Sequence, residues 1–248
     1  MTRQLHEVDY ATAPRSPWKR PGTIAAAVLL ALVVIAGVVV ALMGGDDGVP
    51  SPAPSNAPAS QPAGGTSTAA EALPTAIPTT APRGVTWELV GQVAAPRSAT
   101  AGPRQVAGGV ASGYAHTPEG ALIAAAQLAL RSDLYAGRES WEPTVTKQFT
   151  PGADRDRLLA MYAEYDPVPP VEAADRATIG GYRYISYSTD TAVIAMAMRV
   201  PRSSAWVTLT LTVRWMDGDW RMVPPPGGNW QALQAPAPDL SSVVTWGP

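Results

Sequence analysis

The feature that most constrains this chain is an uncharged apolar run of 22 residues, Gly22–Met43. As an α-helix rising 1.5 Å per residue it would reach about 33 Å, which matches a hydrocarbon core of about 30 Å. Because a backbone in lipid must satisfy its own hydrogen bonds, the run predicts a transmembrane helix. The alternative is a cleaved signal peptide, whose apolar core would be only about 7–15 residues long and followed by a small-x-small site. Ala-Leu-Met precedes Gly44 here, so we expect an uncleaved anchor.

Basic residues flank this run on one side only. Residues 1–21 carry four of them, whereas the other flank opens with Asp46 and Asp47 and has no basic residue before Arg83. The four are Arg3, Arg15, Lys19 and Arg20. Because positive charge concentrates on the cytoplasmic side of membrane helices, we expect a single-pass protein of the cell membrane. Residues 1–21 would be a cytoplasmic tail, the C-terminal domain would be extracytoplasmic, and the lipid bilayer would be one partner.

The composition excludes several classes of function. Eighteen Lys and Arg against 20 Asp and Glu give a net charge of −2, which argues against direct binding of nucleic acid by bulk attraction. With no cysteine and only two histidines, His6 and His116, we expect no disulfide, no metal site and no cofactor. Only Lys19 and Lys147 are lysines, and Ala, Gly and Pro are abundant, which favours a GC-rich, actinobacterial genome.

Residues 44–83 form a stretch of low complexity. Of its 40 residues, 31 are Pro, Ala, Ser, Thr or Gly. Such a stretch cannot bury enough apolar surface to offset the entropy cost of ordering it. It therefore predicts a disordered linker that holds the following domain away from the membrane; glycosylation of its Ser and Thr stays open.

A helix start stands at Thr117-Pro118-Glu119, where Thr can cap, Pro fits the first helical position and Glu suits the first turn. The predicted helix covers 120–135, with Gly137 as its stop. Within 121–130 only Gln127 is polar, so the helix must be buried on all sides. The residues expected to fill the core from it are Leu122, Ile123 and Leu128.

The rest of residues 84–248 predicts a second helix, four strands and two less regular segments. Residues 153–165 place apolar side chains on one face and follow a capping Thr150. An alternating pattern and a hairpin signal at Asp217-Gly218 define the strands. They are predicted over 179–188, 192–200, 205–216 and 219–223. Residues 84–112 predict an extended arm that opens with a strand through Trp87, Leu89 and Val93, and 227–248 predict a C-terminal tail.

Helices followed by consecutive antiparallel strands predict an α+β domain. A central apolar helix requires a curved antiparallel sheet around it. This order over residues 113–226, with the closing hairpin WMDGDWRMV, resembles the nuclear-transport-factor-2-like or cystatin-like superfamily. The resemblance implies a cone-like domain of helices packed on a curved sheet.

A second resemblance rests on the run GYAHTPEGALIAAA at 113–126, the Ala-Gly-Pro at 101–103 and Trp87. These residues are similar to an actinobacterial family of single-pass, membrane-anchored proteins of uncharacterised function, whose members recur among conjugation-type gene sets. One anchor and an outer cone domain also resemble the bitopic scaffold subunit of type IV secretion systems. This architecture implies other envelope or secretion-system proteins as partners and leaves homo-oligomers open.

Motifs for catalysis are absent from the sequence. It has no phosphate loop, no nucleophile elbow and no zinc-protease motif. His116 is interpreted as a turn residue before the cap, because no partner for a general base is evident. Asp133 and Tyr135, near the predicted helix end, are interpreted as a solvated carboxylate and a packing ring. We therefore predict no catalytic residues and a protein that is not an enzyme.

Four residues are candidates for a binding surface. Tyr182 and Tyr184 share one side of a predicted strand, and Trp206 and Arg214 lie on the polar side of another. Aromatic and Arg side chains are the usual anchors of protein interfaces. We therefore expect a non-enzymatic envelope protein whose outer domain mediates protein–protein assembly. The expected setting is a conjugative type IV secretion apparatus. The alternative is a small-ligand-binding or isomerase-like domain, which would require a cavity above roughly 300 Å³.

Overall fold

The computed structural model describes residues 73–200, 202, 205–237 and 239–248. The predicted cytoplasmic tail, the predicted transmembrane helix over 22–43 and the predicted linker up to residue 72 lie outside the described residues. Within the described ranges, no helix is long and apolar enough to cross a bilayer. These residues form a mixed α+β unit in which three α-helices pack on a curved antiparallel sheet.

The predicted buried helix is present as α1, Pro118–Arg131. Its start is confirmed, because Thr117 caps it by accepting a hydrogen bond from the Gly120 N–H at 3.0 Å. Residues 120–128 are all buried, as the apolar run predicted. The predicted end at residue 135 was too far, because the α-helix ends at Arg131, Ser132 is its C-cap, and a separate 3₁₀ turn occupies 134–136.

Two further helices follow α1 along the chain and precede the strands of the main sheet. The first, α2, spans Arg138–Gln148 and was not predicted, since charged residues and Pro143 interrupt its apolar period. The second, α3, spans Ala153–Tyr165 and has the predicted bounds. Its predicted cap at Thr150 was wrong: Thr150 donates its N–H to the Met222 carbonyl at the sheet, so Gly152 precedes the helix instead.

The main sheet contains the four predicted strands, each within a residue of its expected bounds. They are β5 (Thr178–Tyr187), β6 (Thr191–Val200), β7 (Ala205–Met216) and β8 (Asp219–Met222). They run antiparallel in this order, and β10 (Val244–Thr245) pairs with β5 while β9 (Gln234–Pro236) pairs with β7. Asp217 and Gly218 have φ values of 52° and 76°, as a tight hairpin turn requires, so the predicted hairpin is confirmed.

The two faces of this sheet have different roles. The inner face packs on α1, and alternate residues of each strand point to it. Its fully buried side chains include Ile194, Met196, Leu211, Val213 and Trp220. The opposite side, the outer face, carries the intervening residues of β5, β6 and β7. Because the inner face packs on α1, a partner protein could contact the sheet only through its outer face.

Residues 84–112 do not form an extended arm. They fold into two hairpins, because Gly91 and Gln92 interrupt the predicted strand with a turn. The strands of the first are β1 (Val85–Val90) and β2 (Val93–Ser98); those of the second are β3 (Gln105–Ala107) and β4 (Val110–Ser112). Leu89 lies in a strand, as predicted, and its side chain is 76% exposed.

A buried polar network joins the first hairpin to α1. Glu88 Oε1 accepts hydrogen bonds from Arg131 Nη2 at 2.7 Å and from Gln127 Nε2 at 3.2 Å. Arg131 Nε also donates to Gln127 Oε1 at 2.7 Å, and Gln127 Nε2 donates to the Pro96 carbonyl at 2.8 Å. The single polar residue of the apolar run is therefore fully buried yet hydrogen-bonded to the hairpin.

Both ends of the described chain pack on the domain. The Tyr182 hydroxyl donates a hydrogen bond to the Thr80 carbonyl at 2.9 Å, so the folded unit begins before residue 84. In the predicted tail, Trp230 donates to the Tyr162 hydroxyl at 2.8 Å, and the Trp246 ring packs on Trp87 with centroids 5.2 Å apart. The tail therefore completes the core and contributes two short strands.

Candidate functional site

The first two predicted binding residues, Tyr182 and Tyr184, lie on the inner face of the sheet. Tyr182 is fully buried on the inner face, and burial raises its pKa to about 12. The Tyr184 hydroxyl donates to the Pro118 carbonyl at 2.5 Å and so ties β5 to the start of α1. Both tyrosines pair across the sheet with inner-face residues of β6, which explains why they point to α1. Both side chains therefore pack within the domain, Tyr182 fully buried and Tyr184 half-buried.

The other two predicted residues, Trp206 and Arg214, lie on the outer face, as expected. The Trp206 ring lies over Gly180 of β5, where a side chain at Gly180 would collide with it, and it is half-buried. Arg214 is exposed near the other end of β7. Eight residues separate them, so they are roughly 27 Å apart along the strand. The four residues therefore form no single site.

The outer face itself is a coherent surface of short side chains with basic groups around it. Its central rows pair Thr208 with Ala197, Thr210 with Ala195, and Thr212 with Val193. Three exposed arginines stand among these short side chains: Arg183 on β5, Arg199 on β6 and Arg214 on β7. Sequence reasoning missed Arg199; the alternation along β6, continued from the hairpin at 188–190, would have placed it there.

The charges of these three arginines are uncompensated within the described part of the chain. None of them forms an ion pair there, whereas surface arginines on the helices do, as with Arg138 and Glu142 at 2.9 Å. Following the strand register, Arg199, Arg183 and Arg214 lie in rows about 14 Å apart. Groups this widely spaced cannot converge on one small anion, so they suit a broad acidic surface.

His116 has a packing role larger than that of a turn residue. Its ring stacks on Trp215 with centroids 3.8 Å apart and planes within 4°. Its Nε2 lies 2.6 Å from the Thr189 carbonyl oxygen. These contacts hold the segment before α1 against the β5–β6 turn. One face of the His116 ring and one of its nitrogens therefore take part in packing.

Asp133 and Tyr135 lie at the rim of a cavity. Asp133 is not simply solvated, as the sequence suggested: its Oδ1 accepts the Tyr135 N–H at 2.8 Å and its Oδ2 pairs with Arg176 at 3.1 Å. The Arg176 guanidinium in turn lies 5.2 Å from the centre of the Tyr135 ring. The carboxylate is thus bound on both oxygens.

The cavity has a volume of about 280 Å³ and lies between the C-terminal half of α1 and the inner face of the sheet. Leu122, Ile123 and Leu128 are fully buried and fill the rest of the interior, as predicted. Space remains beyond them because Ala126 and Ala129 present only methyl groups to the sheet. The volume lies just below the lower bound of about 300 Å³ for drug-sized ligands, so the cavity can take only a smaller molecule.

Together these observations define a small α+β domain with a basic outer sheet face and an apolar internal cavity. Residues 48–245 match the protein family described as Domain of unknown function (DUF8175), about four fifths of the chain. The chain therefore belongs to this family. No curated protein matches the chain significantly, and no solved structure does so either.

Proposed function

We propose that this chain is a non-enzymatic assembly protein of the cell envelope. In this proposal residues 1–21 are cytoplasmic, Gly22–Met43 spans the membrane and the described domain lies outside it. The support for the placement is the charge asymmetry across the apolar run. The domain would bind other envelope proteins through its outer face.

The observation that carries the binding function is a set of three exposed arginines among short side chains, none of which forms an ion pair with another described residue. The short, half-buried Thr side chains of β7 let a partner approach this face closely, and Arg is enriched at protein interfaces. Long-range attraction of a basic face mainly raises the rate and selectivity of association. The partner surface should therefore be acidic, and binding should weaken as salt rises.

The setting that we propose is a conjugative type IV secretion apparatus. Its support is the architecture: one anchor, a spacer and an outer domain, as in the bitopic scaffold subunit of such systems. The helix and strand order over 113–226 also supports a cone-like, nuclear-transport-factor-2-like fold. Fold alone does not establish function, so the partner must be identified directly.

Site-specific photo-crosslinking of the full chain in its own membrane tests the outer face. A photoreactive residue at Thr210 should give adducts with extracytoplasmic envelope proteins, whereas the same residue at Glu164 on α3 should not. Reversing the three charges (R183E, R199E, R214E) should reduce the adducts at least threefold. The matched control, R155E with R157E on α3, should leave them unchanged. Adducts that survive reversal of the outer face, or that contain nucleic acid, would contradict the proposal.

The topology is tested separately with reporter fusions at Pro248. A reporter that is active only outside the cytoplasm should work there, and one that is active only in the cytoplasm should not. Activity of the cytoplasmic reporter at Pro248 would overturn both the localisation and the assembly role outside the membrane.

A further inference from the structure

We infer that the internal cavity binds a neutral, mainly apolar small molecule whose carbonyl or hydroxyl oxygen accepts a hydrogen bond from Tyr162. This inference is independent of the proposed assembly function, because the cavity and the outer face lie on opposite sides of the sheet. It rests on the cavity, on one buried hydroxyl and on the absence of any unpaired charge in its lining.

The Tyr162 hydroxyl is the polar group that gives the cavity its specificity. Tyr162 is 6% exposed and lines the cavity. Trp230 Nε1 donates to its oxygen at 2.8 Å, which leaves the hydroxyl's own proton to be donated. No described residue accepts a hydrogen bond from that proton. Burial, together with the nearby charge of Asp133, raises the pKa of Tyr162 well above its usual range, so the group remains a donor.

A buried donor without an acceptor costs free energy unless a ligand or a water satisfies it. An apolar molecule with one suitably placed oxygen would satisfy it and would also cover the surrounding hydrocarbon surface. The aromatic contacts of Tyr162 and Trp230 with Trp141 and Phe149, at 5.3 and 6.3 Å between centroids, hold this pair of side chains in place. The donor is therefore pre-organised for its ligand.

The lining excludes charged ligands. The sheet contributes aliphatic side chains and two methionines, Met196 and Met198, which adapt to different apolar shapes. Asp133, the charged residue of the lining, already pairs with Arg176 at 3.1 Å. An ionic ligand would lose its hydration without gaining a counter-charge.

The volume sets the size of the ligand. A cavity of about 150 Å³ takes benzene, so one of this volume suits roughly a dozen non-hydrogen atoms. Entry is provided at the rim, where Ala129 is half-buried and Tyr135 and Gln234 are exposed. A ligand can therefore enter past the end of α1 without unfolding the domain.

A cysteine-protection experiment on the full chain tests this inference. The chain has no cysteine, so Ala129→Cys places a unique thiol in the cavity, and Thr210→Cys on the outer face is the matched control. The probes are 2-acetylnaphthalene and 2-ethylnaphthalene, which have similar shapes but differ in a carbonyl oxygen. Both should slow the reaction of the Ala129→Cys thiol with N-ethylmaleimide, and neither should protect the Thr210→Cys thiol.

The role of Tyr162 appears in the comparison of the two probes. The acetyl probe should protect at about threefold to tenfold lower concentration than the ethyl probe, because it gains one hydrogen bond. When Tyr162→Phe is added to the Ala129→Cys chain, this preference should vanish while protection by the ethyl probe stays. Adding Ala126→Leu, which fills the cavity, should remove protection by both probes.

Each other outcome overturns the inference. No protection of the cavity thiol by either probe would show that the cavity does not bind such molecules. Equal protection by the two probes, or a preference that survives Tyr162→Phe, would show that Tyr162 does not select the ligand. Protection of the outer-face thiol as well would mean that the probes act through the membrane and not through the cavity.

Discussion

Replacing Glu88 by Ala should destabilise the domain far more than its position on a surface hairpin suggests. Glu88 accepts hydrogen bonds from Arg131 at 2.7 Å and from Gln127 at 3.2 Å, and both donors belong to the buried helix α1. Without Glu88, the Arg131 charge keeps only its bond to Gln127, in a site where its side chain is 9% exposed.

The magnitude follows from how deeply the pair is buried. Removing one partner of a fully buried ion pair costs about 3–5 kcal/mol. The Glu88 side chain is 31% exposed, so water can replace part of its contribution, and we expect a loss at the low end, about 2–3 kcal/mol. For a domain of this size, a loss of 1 kcal/mol in the free energy of unfolding lowers Tm by about 2–4 °C. Tm should therefore fall by about 5–10 °C.

The measurement is thermal unfolding, followed by circular dichroism, of a fragment that covers residues 73–248. The matched control is Glu142→Ala, which removes a carboxylate from Arg138 in an exposed pair on α2 and should leave Tm unchanged. A fall of less than 2 °C for Glu88→Ala, or an equal fall in the two variants, would refute the claim that the network stabilises α1.

Three further predictions concern the core and the described chain ends. Leu128→Ala should cost about 2–5 kcal/mol in the free energy of unfolding, because a fully buried side chain leaves a void. A fragment starting at residue 84 should be less stable than the 73–248 fragment by about 1–3 kcal/mol, since the buried Tyr182 hydroxyl loses its Thr80 acceptor; equal urea midpoints would contradict this. Because burial raises the pKa of Tyr182 from 10.0 to about 12, the folded state holds this proton more tightly. The free energy of unfolding should therefore keep its full value below pH 10 and decrease as the pH rises towards 12. In urea titrations at these pH values, Tyr182→Phe should show a smaller decrease.

The elements with a strong local signal were predictable from the sequence. The cap at Thr117, the apolar run of α1 and the alternation of β7 each depend on side chains within a few residues, and the structure confirms them. The α2 helix was not predictable in this way. Its charged residues and Pro143 obscure the period, and it is helical because Trp141 and Val145 pack on the core.

The candidate sites show a different limit of sequence reasoning. Alternation along β5 places Tyr182 and Tyr184 on one side, but it does not say which side contacts α1. That depends on the register with β6, where irregularities occur between Ile179 and Gly181 and between Tyr184 and Ser186. The cavity is beyond local reasoning altogether, since it arises where two alanines of α1 meet distant strands.

The network around Gln127 also explains how α1 acquires one orientation. A helix that is apolar on every side can rotate about its axis and still bury almost the same hydrocarbon surface, so burial alone leaves many rotational settings nearly equal in energy. Gln127 and Arg131, four residues apart, lie on one stripe and find their partners only when that stripe contacts the first hairpin. Any other rotation would leave both groups unpaired inside the core, at about 1–3 kcal/mol or more for each. Gln127 and Arg131 thus select one rotation of α1 about its axis. In that rotation Ala126 and Ala129 face the sheet, where the cavity forms.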